Sequence, residues 1–144
     1  PIYLWLAISQ EPSNPLAHYY YAETLRRRLS EQGLPVTPGV AREMAPSLQK
    51  AIELRPSFAR AHYLLGYTYL VTGDDLPEGI AQLETAIRLA PPNRAAMLTL
   101  ASIQLKMRNY AAARATAQSI LDAPDATDSI KAEARQVLEA AANQ

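Results

Sequence analysis

Two histidines, His18 and His62, are the residues best suited by type to proton transfer or metal binding, because the sequence contains no cysteine. They are 44 residues apart, the same offset that separates Ala7 from Ala51 in a repeated phrase described below. Equivalent positions in successive repeats lie side by side and do not converge on one ion, and two imidazoles lack a third ligand. We therefore expect both histidines to pack between helices and predict no metal site.

Aspartates form two groups that could suggest a metal or an acid/base pair. They are Asp74 and Asp75, and then Asp122, Asp125 and Asp128. Neither group has calcium-loop spacing, and each falls at an expected helix boundary, where Asp caps exposed backbone N–H groups. We also find no nucleophile motif, glycine-rich phosphate loop or zinc spacing. We expect capping aspartates, no catalytic residue and no cofactor.

The only basic run is Arg26–Arg28. Three successive helical residues spread over about 200°, so they do not form one flat phosphate-binding face. The formal net charge is +0, from 14 Lys+Arg and 14 Asp+Glu, which argues against nucleic acid as a partner. Two interpretations of the run stay open: a solvated helix end, or a share in a site for an acidic ligand.

The first eight residues, PIYLWLAI, form an apolar run. A membrane span needs roughly 20 apolar residues and a signal peptide begins with a basic segment, so we predict no membrane insertion. Because the chain begins with Pro, we expect it to be cut from a longer protein. A targeting segment would then lie upstream, which leaves both cytoplasm and periplasm open.

A nine-residue phrase, Leu-x-x-Ala-Ile-x-x-x-Pro, occurs three times, as LWLAISQEP, LQKAIELRP and LETAIRLAP. Leu and Ala three residues apart share a helix face, and the closing Pro ends the helix. Before the third copy, SFARAHYLLGYTYLVTG has the periodicity of a partner helix. The pattern predicts eight helices, near residues 1–10, 15–31, 40–54, 57–72, 76–90, 93–107, 110–122 and 127–142.

One unit matches a known repeat in detail. His62, Leu65, Gly66 and Tyr69, followed by Gly79, Leu83, Ala86 and Pro91, resemble the tetratricopeptide repeat, with His62 in place of the usual Trp. Looser units place His18, Tyr21, Ala22 and Leu25, and then Met97, Leu100, Ala101 and Gln104, in the first-helix positions. The resemblance covers residues 1 to about 124.

The resemblance implies an all-α, right-handed α-solenoid of antiparallel helix hairpins. Within a single domain spanning 1–144, it predicts the end of a truncated repeat at 1–12 and repeats at 15–56, 57–91 and 93–124. The first full repeat has a loop insertion near 31–39, which we expect to be mobile, and a capping helix occupies 127–142. Gly66 is expected to face the next helix closely.

In this resemblance the first helix of each unit lines a concave groove. Tyr19, Tyr63 and Tyr67 fall on that face, whereas Tyr21 and Tyr69 fit the core stripe. Groove tyrosines are typical of recognition surfaces, but half-buried packing explains them equally well. The expected partner-binding residues are Tyr19, Glu23, Arg26, Arg27, Arg60, Tyr63, Tyr67, Ser102 and Lys106.

The resemblance implies a non-catalytic scaffold that binds a peptide or partner protein in this groove. The carboxylate clamp of chaperone-binding relatives does not carry over, because the matching positions hold Tyr19, Glu23, Leu64, Ala95 and Thr99 in place of Lys, Asn and Arg. An alternative is the accessory carboxyl-terminal array of a larger bacterial enzyme, for example a peptidase-like protein, that contacts mainly its own catalytic domain.

Overall fold

The structure is a computed structural model that describes Trp5 and residues 8–144. Over this part of the chain it contains helices and no strand. Its helices are α1 (Pro15–Glu31), α2 (Pro38–Leu54), α3 (Ala59–Thr72), α4 (Leu76–Leu89), α5 (Arg94–Lys106), α6 (Tyr110–Leu121) and α7 (Asp128–Ala142). Each bound lies within two residues of the predicted one. The helix expected near 1–10 falls mostly outside the described residues, although Trp5 and residues 8–10 are helical.

The helices begin where a short polar side chain accepts a hydrogen bond from a backbone N–H of the first turn. Asn14, for example, accepts from the N–H of Leu16 over 3.0 Å. Helix α3 differs, because Phe58 precedes it and makes no such bond. The other capping residues are Thr37, Asp75, Asn93, Asn109 and Thr127.

Each of these helices packs against the next one in the chain, and two further contacts join α3 to α5 and α5 to α7. Helices α3 and α4 approach each other closely at two glycines, Gly66 and Gly79. A β-carbon on Gly66 would lie 2.5 Å from Cγ of Leu83 and 3.2 Å from the carbonyl oxygen of Gly79. Gly66 therefore faces the next helix as predicted, since a larger residue would collide with α4.

The connection between α1 and α2 is shorter than the insertion expected near 31–39. Gly33 has a φ of 69°, and the N–H of Leu34 donates to the carbonyl oxygen of Leu29 over 2.8 Å, which closes the end of α1. Helix α2 then begins at Pro38. Val36 packs against the core between α1, α2 and α3, so the connection is partly packed structure.

Both histidines are buried between helices, as their repeat position predicts. Nε2 of His18 donates to the carbonyl oxygen of Pro12 over 2.9 Å. Nε2 of His62 donates to the carbonyl oxygen of Pro56 over 2.7 Å. Each imidazole thus joins the first helix of its unit to the turn that precedes it.

Capping explains only one of the aspartates. Asp75 caps α4. Asp74 and Asp125 instead accept paired hydrogen bonds from the guanidinium groups of Arg42 and Arg94, more than 30 residues earlier in the chain. The guanidinium of each partner lowers the pKa of its carboxyl below the usual value. The expectation of capping is therefore wrong for these two, which connect successive units.

At the other boundaries the aspartates do not cap either, but Asp128 lies in the first turn of α7, where a carboxylate suits the positive helix end. Thr127 caps α7, and Asp128 is the first residue of that helix. Asp122 follows the end of α6 and accepts a hydrogen bond from Gln118 over 2.9 Å.

None of the helices between residues 8 and 144 combines the length and apolar character needed to cross a bilayer.

Candidate binding groove

Three surface hollows lie between the odd-numbered helices α1, α3, α5 and α7, and we call the surface that carries them the odd-helix face. The arginine hollow, of about 280 Å³, lies between α1 and the start of α3. The tyrosine hollow, also of about 280 Å³, lies between α3, α5 and α7. A third hollow, of about 220 Å³, adjoins the tyrosine hollow between α5 and α7 and shares Leu98, Ser102 and Glu133 with it. The two larger hollows are lined by Leu16, Tyr19, Tyr20, Glu23, Arg27, Phe58 and Arg60, and by Tyr63, Tyr67, Leu70, Ala95, Leu98, Thr99, Ser102, Ile130 and Glu133.

Tyr19 forms the closed floor of the arginine hollow and is not an exposed groove aromatic. Its side chain is 3% exposed, and its ring packs against Phe58 with centroids 4.8 Å apart. Arg60 donates a hydrogen bond from Nε to the Tyr19 hydroxyl over 2.8 Å. Of the two interpretations, packing holds for Tyr19, because the first residues of the next unit cover it.

Glu23 and Arg26 form an ion pair on α1 beside this floor. Nε and Nη2 of Arg26 donate to the two carboxylate oxygens over 2.9 and 2.7 Å, and Glu23 is only 4% exposed. Burial raises the pKa of Glu23, but the hydrogen bond and charge of Arg26, with the charges of Arg60 and Arg27, outweigh it and lower the pKa below its usual value. Glu23 is therefore ionised at neutral pH and occupies Arg26 within the fold.

Two cations remain at the surface of the arginine hollow. Arg27 reaches Glu23 only at 3.7 Å and keeps 63% of its side chain exposed. Arg60 uses Nε for Tyr19, and its terminal nitrogens donate to no residue of the described chain. The exposed apolar side chains of Leu16 and Tyr20 flank these cations. The arrangement can hold an anion next to an apolar group.

Tyr63, Tyr67 and Ser102, three of the expected groove residues, line the tyrosine hollow. Both tyrosines are half-buried. Burial raises the pKa of Tyr67 with a further contribution from Tyr63, although Arg26 lowers it, so Tyr67 keeps its proton at neutral pH. Most of the remaining lining is apolar, which suits an apolar side chain with one end near the hydroxyl groups.

Two predicted positions behave differently from expectation. Nζ of Lys106 donates to the carbonyl oxygen of Leu70 over 2.9 Å, near the end of α3, so one of its three N–H donors is bound to a backbone carbonyl. Leu64, which was matched to the clamp of chaperone-binding relatives, is buried in the core and does not face the groove. Within the described residues, no cluster of three or more His, Asp or Glu side chains is placed to hold a metal ion.

Several lining residues were not predicted. Leu98 occupies the α5 position equivalent to Tyr63 on α3, offset by 35 residues, so the repeat could have identified it. Ile130 and Glu133 lie on α7, whose sequence does not follow the repeat, and only its packing against α5 brings them to the hollow. Repeat alignment therefore finds the side walls of the hollow on α3 and α5 and misses the end wall on α7.

Comparison with known proteins adds no assignment to this geometry. In a scan against protein-family models no model matches the chain, and a search of curated proteins returns no significant match.

Proposed function

We propose that this protein is a non-catalytic interaction module that holds a peptide or a segment of a partner protein on its odd-helix face. Its helices are then arranged as a right-handed α-solenoid of tetratricopeptide-like hairpins, α1–α2, α3–α4 and α5–α6, with α7 as the carboxyl-terminal cap.

The pattern of helix contacts supports this architecture. Contacts run from each helix to the next, and the first helices of successive hairpins also touch, α3 with α5 and α5 with α7. Solenoids have such nearest-neighbour packing, because each unit rests only on the units beside it. Helix α7 takes the first-helix place of a further unit and covers the core of α5 and α6 with Ala134 and Val137.

The observation that most supports binding is the tyrosine hollow. It has a volume of about 280 Å³ and is lined by aromatic and aliphatic side chains from three helices. Half-buried tyrosines on a rigid helix bind with little loss of side-chain entropy, and such residues are frequent energetic anchors. An extended segment fits a face formed by parallel rows of helices, because successive side chains can enter successive hollows.

Capture of partners from an extract of the source cell tests this function, with the parent and a Tyr63→Ala/Tyr67→Ala variant as baits. Truncating anchors of this type costs about 2 kcal/mol or more each, so the variant should lose most bound partner. Tyr110→Ala, which removes a half-buried tyrosine from α6, is the matched control and should capture normally.

A second variant tests the same hollow without removing core atoms. Ala95 lies in the tyrosine hollow at the α5 position equivalent to Arg60 on α3. Ala95→Arg should fill the hollow, abolish capture and leave the melting temperature near that of the parent. If Ala95→Arg is folded and still captures every partner, the tyrosine hollow is not part of the binding surface.

A further inference from the structure

The two ends of the odd-helix face differ in charge, and this difference bears on the chemistry of the proposed partner. Of the four cations that the sequence places near the groove, Arg26 is held by Glu23 and Lys106 by the carbonyl of Leu70. Of these four, Arg27 and Arg60 line the arginine hollow, whereas Arg26 and Lys106 line none of the three hollows. The α1–α3 end of the face is therefore its basic end.

The apolar surroundings of these two guanidinium groups favour a side-chain carboxylate over a fully hydrated ion. Leu16 is 43% and Tyr20 49% exposed beside the cations, and the floor is the Tyr19–Phe58 stack. Charge-assisted hydrogen bonds from a guanidinium to a carboxylate are stronger where water is partly excluded.

The opposite end of the face has the reverse charge and more apolar surface. Glu133 lines both hollows between α5 and α7 and forms no ion pair within the described residues. Leu98, Ile130 and Val137 surround it. An acidic side chain would be repelled here, whereas a large apolar side chain finds contacts on α5 and α7.

The helix order sets the separation between the two ends. The arginine hollow lies between α1 and α3, and the far hollow between α5 and α7, which is two steps along the row of odd helices. Packed helices are about 8–10 Å apart, so the ends are separated by roughly 16–20 Å. An extended segment covers that distance in about five or six residues at about 3.3 Å each.

We propose that the segment bound on this face carries an acidic side chain in the arginine hollow and a large apolar side chain five or six residues away, between α5 and α7. This inference rests on the proposed function and adds the order and spacing of the recognised side chains. It commits the face to an extended, acidic-and-apolar protein segment.

Selection from a phage-displayed library of random twelve-residue peptides tests the pattern, with the parent, Arg27→Gln/Arg60→Gln and Arg88→Gln as targets. Peptides enriched by the parent should pair Asp or Glu with Leu, Ile, Met, Phe or Trp five or six positions away. The double variant should bind these peptides roughly tenfold more weakly and lose the acidic preference, while it keeps the apolar one. Arg88 lies on α4, away from the face, so Arg88→Gln should enrich as the parent does.

Because Arg60 also bonds to Tyr19, Arg27→Gln alone provides a variant that keeps this hydrogen bond and loses only a 3.7 Å approach to Glu23, and it should weaken the acidic preference by itself. Enrichment of peptides without an acidic bias, or a bias that survives in both arginine variants, would overturn this inference and leave the proposed function standing. If the folded parent enriches no peptide at all, the proposed function fails and this inference fails with it.

Discussion

Residues at equivalent repeat positions on α1 and on α3 differ in how far their side chains are exposed. On α1 they are Tyr19, Glu23 and Arg26, of which the first two are buried and the third is hydrogen-bonded to Glu23, and we call this the closed stripe. On α3, 44 residues later, they are Tyr63, Tyr67 and Leu70, which line an open hollow. Side chains at equivalent repeat positions thus lie on the same helix face but differ in their exposure to solvent.

The difference arises in the following unit and not in the stripe itself. Tyr19 is covered by Phe58 and Arg60 at the start of α3. The positions equivalent to these two at the start of α5 are Asn93 and Ala95, of which Asn93 turns its side chain to the N–H of Ala96 as a cap. Neither reaches over Tyr63, so the hollow stays open.

Removal of each tyrosine ring should show this contrast as a difference in stability. Tyr19→Ala leaves a cavity in the core and should lower the free energy of unfolding by about 3–5 kcal/mol. Tyr63→Ala should cost clearly less, because its side chain is half-buried and the site can fill with water. Chemical denaturation of both variants measures the two values, and equal losses would remove the distinction between a closed and an open unit.

A larger residue at Gly66 should break the hairpin that holds the open hollow. Gly66→Leu forces α3 away from Leu83 and should cost about 1–3 kcal/mol or more. Gly39→Leu is the matched control, since a β-carbon at Gly39 meets only Oγ1 of Thr37, at 4.0 Å. Thermal melting compares the pair. A Gly66→Leu variant that melts with its control would contradict the close approach of α3 and α4.

Acid should affect the closed stripe and not the open one, because only the former contains a carboxyl group. Glu23 has a folded pKa below its ordinary value of 4.5. Its contribution to stability is therefore complete above that value and is lost as the pH falls through the folded pKa. The stability difference between the parent and Glu23→Gln should shrink on going from about pH 5 to about pH 3.

The comparison with Glu23→Gln separates this group from the others. Asp74 and Asp125 also have lowered pKa values and destabilise both proteins alike in acid, so they cancel in the difference. A difference that stays constant with pH would show that the Glu23–Arg26 ion pair does not contribute to the closed stripe.

The smallest expected effect concerns the connection between α1 and α2. Replacing residues 32–35 by Gly-Asn while keeping Val36 should change the free energy of unfolding by less than about 1 kcal/mol. Val36→Ser in the parent should cost more, since Val36 packs on the core. Urea denaturation checks both. A large loss from the replacement alone would mean that residues 32–35 are themselves packed structure.

Local signals in the sequence predicted the helices well. A short polar residue stands immediately before most helices, namely Asn14, Thr37, Asp75, Asn93 and Asn109. The prolines that follow the Ala-Ile phrases mark helix ends. Interactions between residues close in sequence therefore set the helix bounds. The packing of His18 and His62 followed from repeat position for the same reason.

Side chains that meet across units could not be predicted from the repeat. The burial of Tyr19 depends on Phe58 and Arg60, and the hydrogen bond from Lys106 depends on a carbonyl 36 residues earlier. The repeat determines which helix face a residue occupies, but the side chains that pack over it differ from unit to unit. Tyr19, Glu23, Arg26 and Lys106, four of the nine expected groove residues, therefore make hydrogen bonds within the fold that the repeat does not predict.

The hydrogen bonds from His18 and His62 to the preceding prolines have a mechanical consequence. The third unit has Met97 at the equivalent position and Pro91 at the equivalent turn, and a thioether cannot donate a proton to that carbonyl. The turns before α1 and α3 are thus each hydrogen-bonded to an imidazole of the helix that follows, whereas the turn before α5 has no such bond. Helix α5 is therefore held against α3 and α4 by side-chain packing and by the hydrogen bond from Lys106 to Leu70, without an imidazole bond to the turn that precedes it.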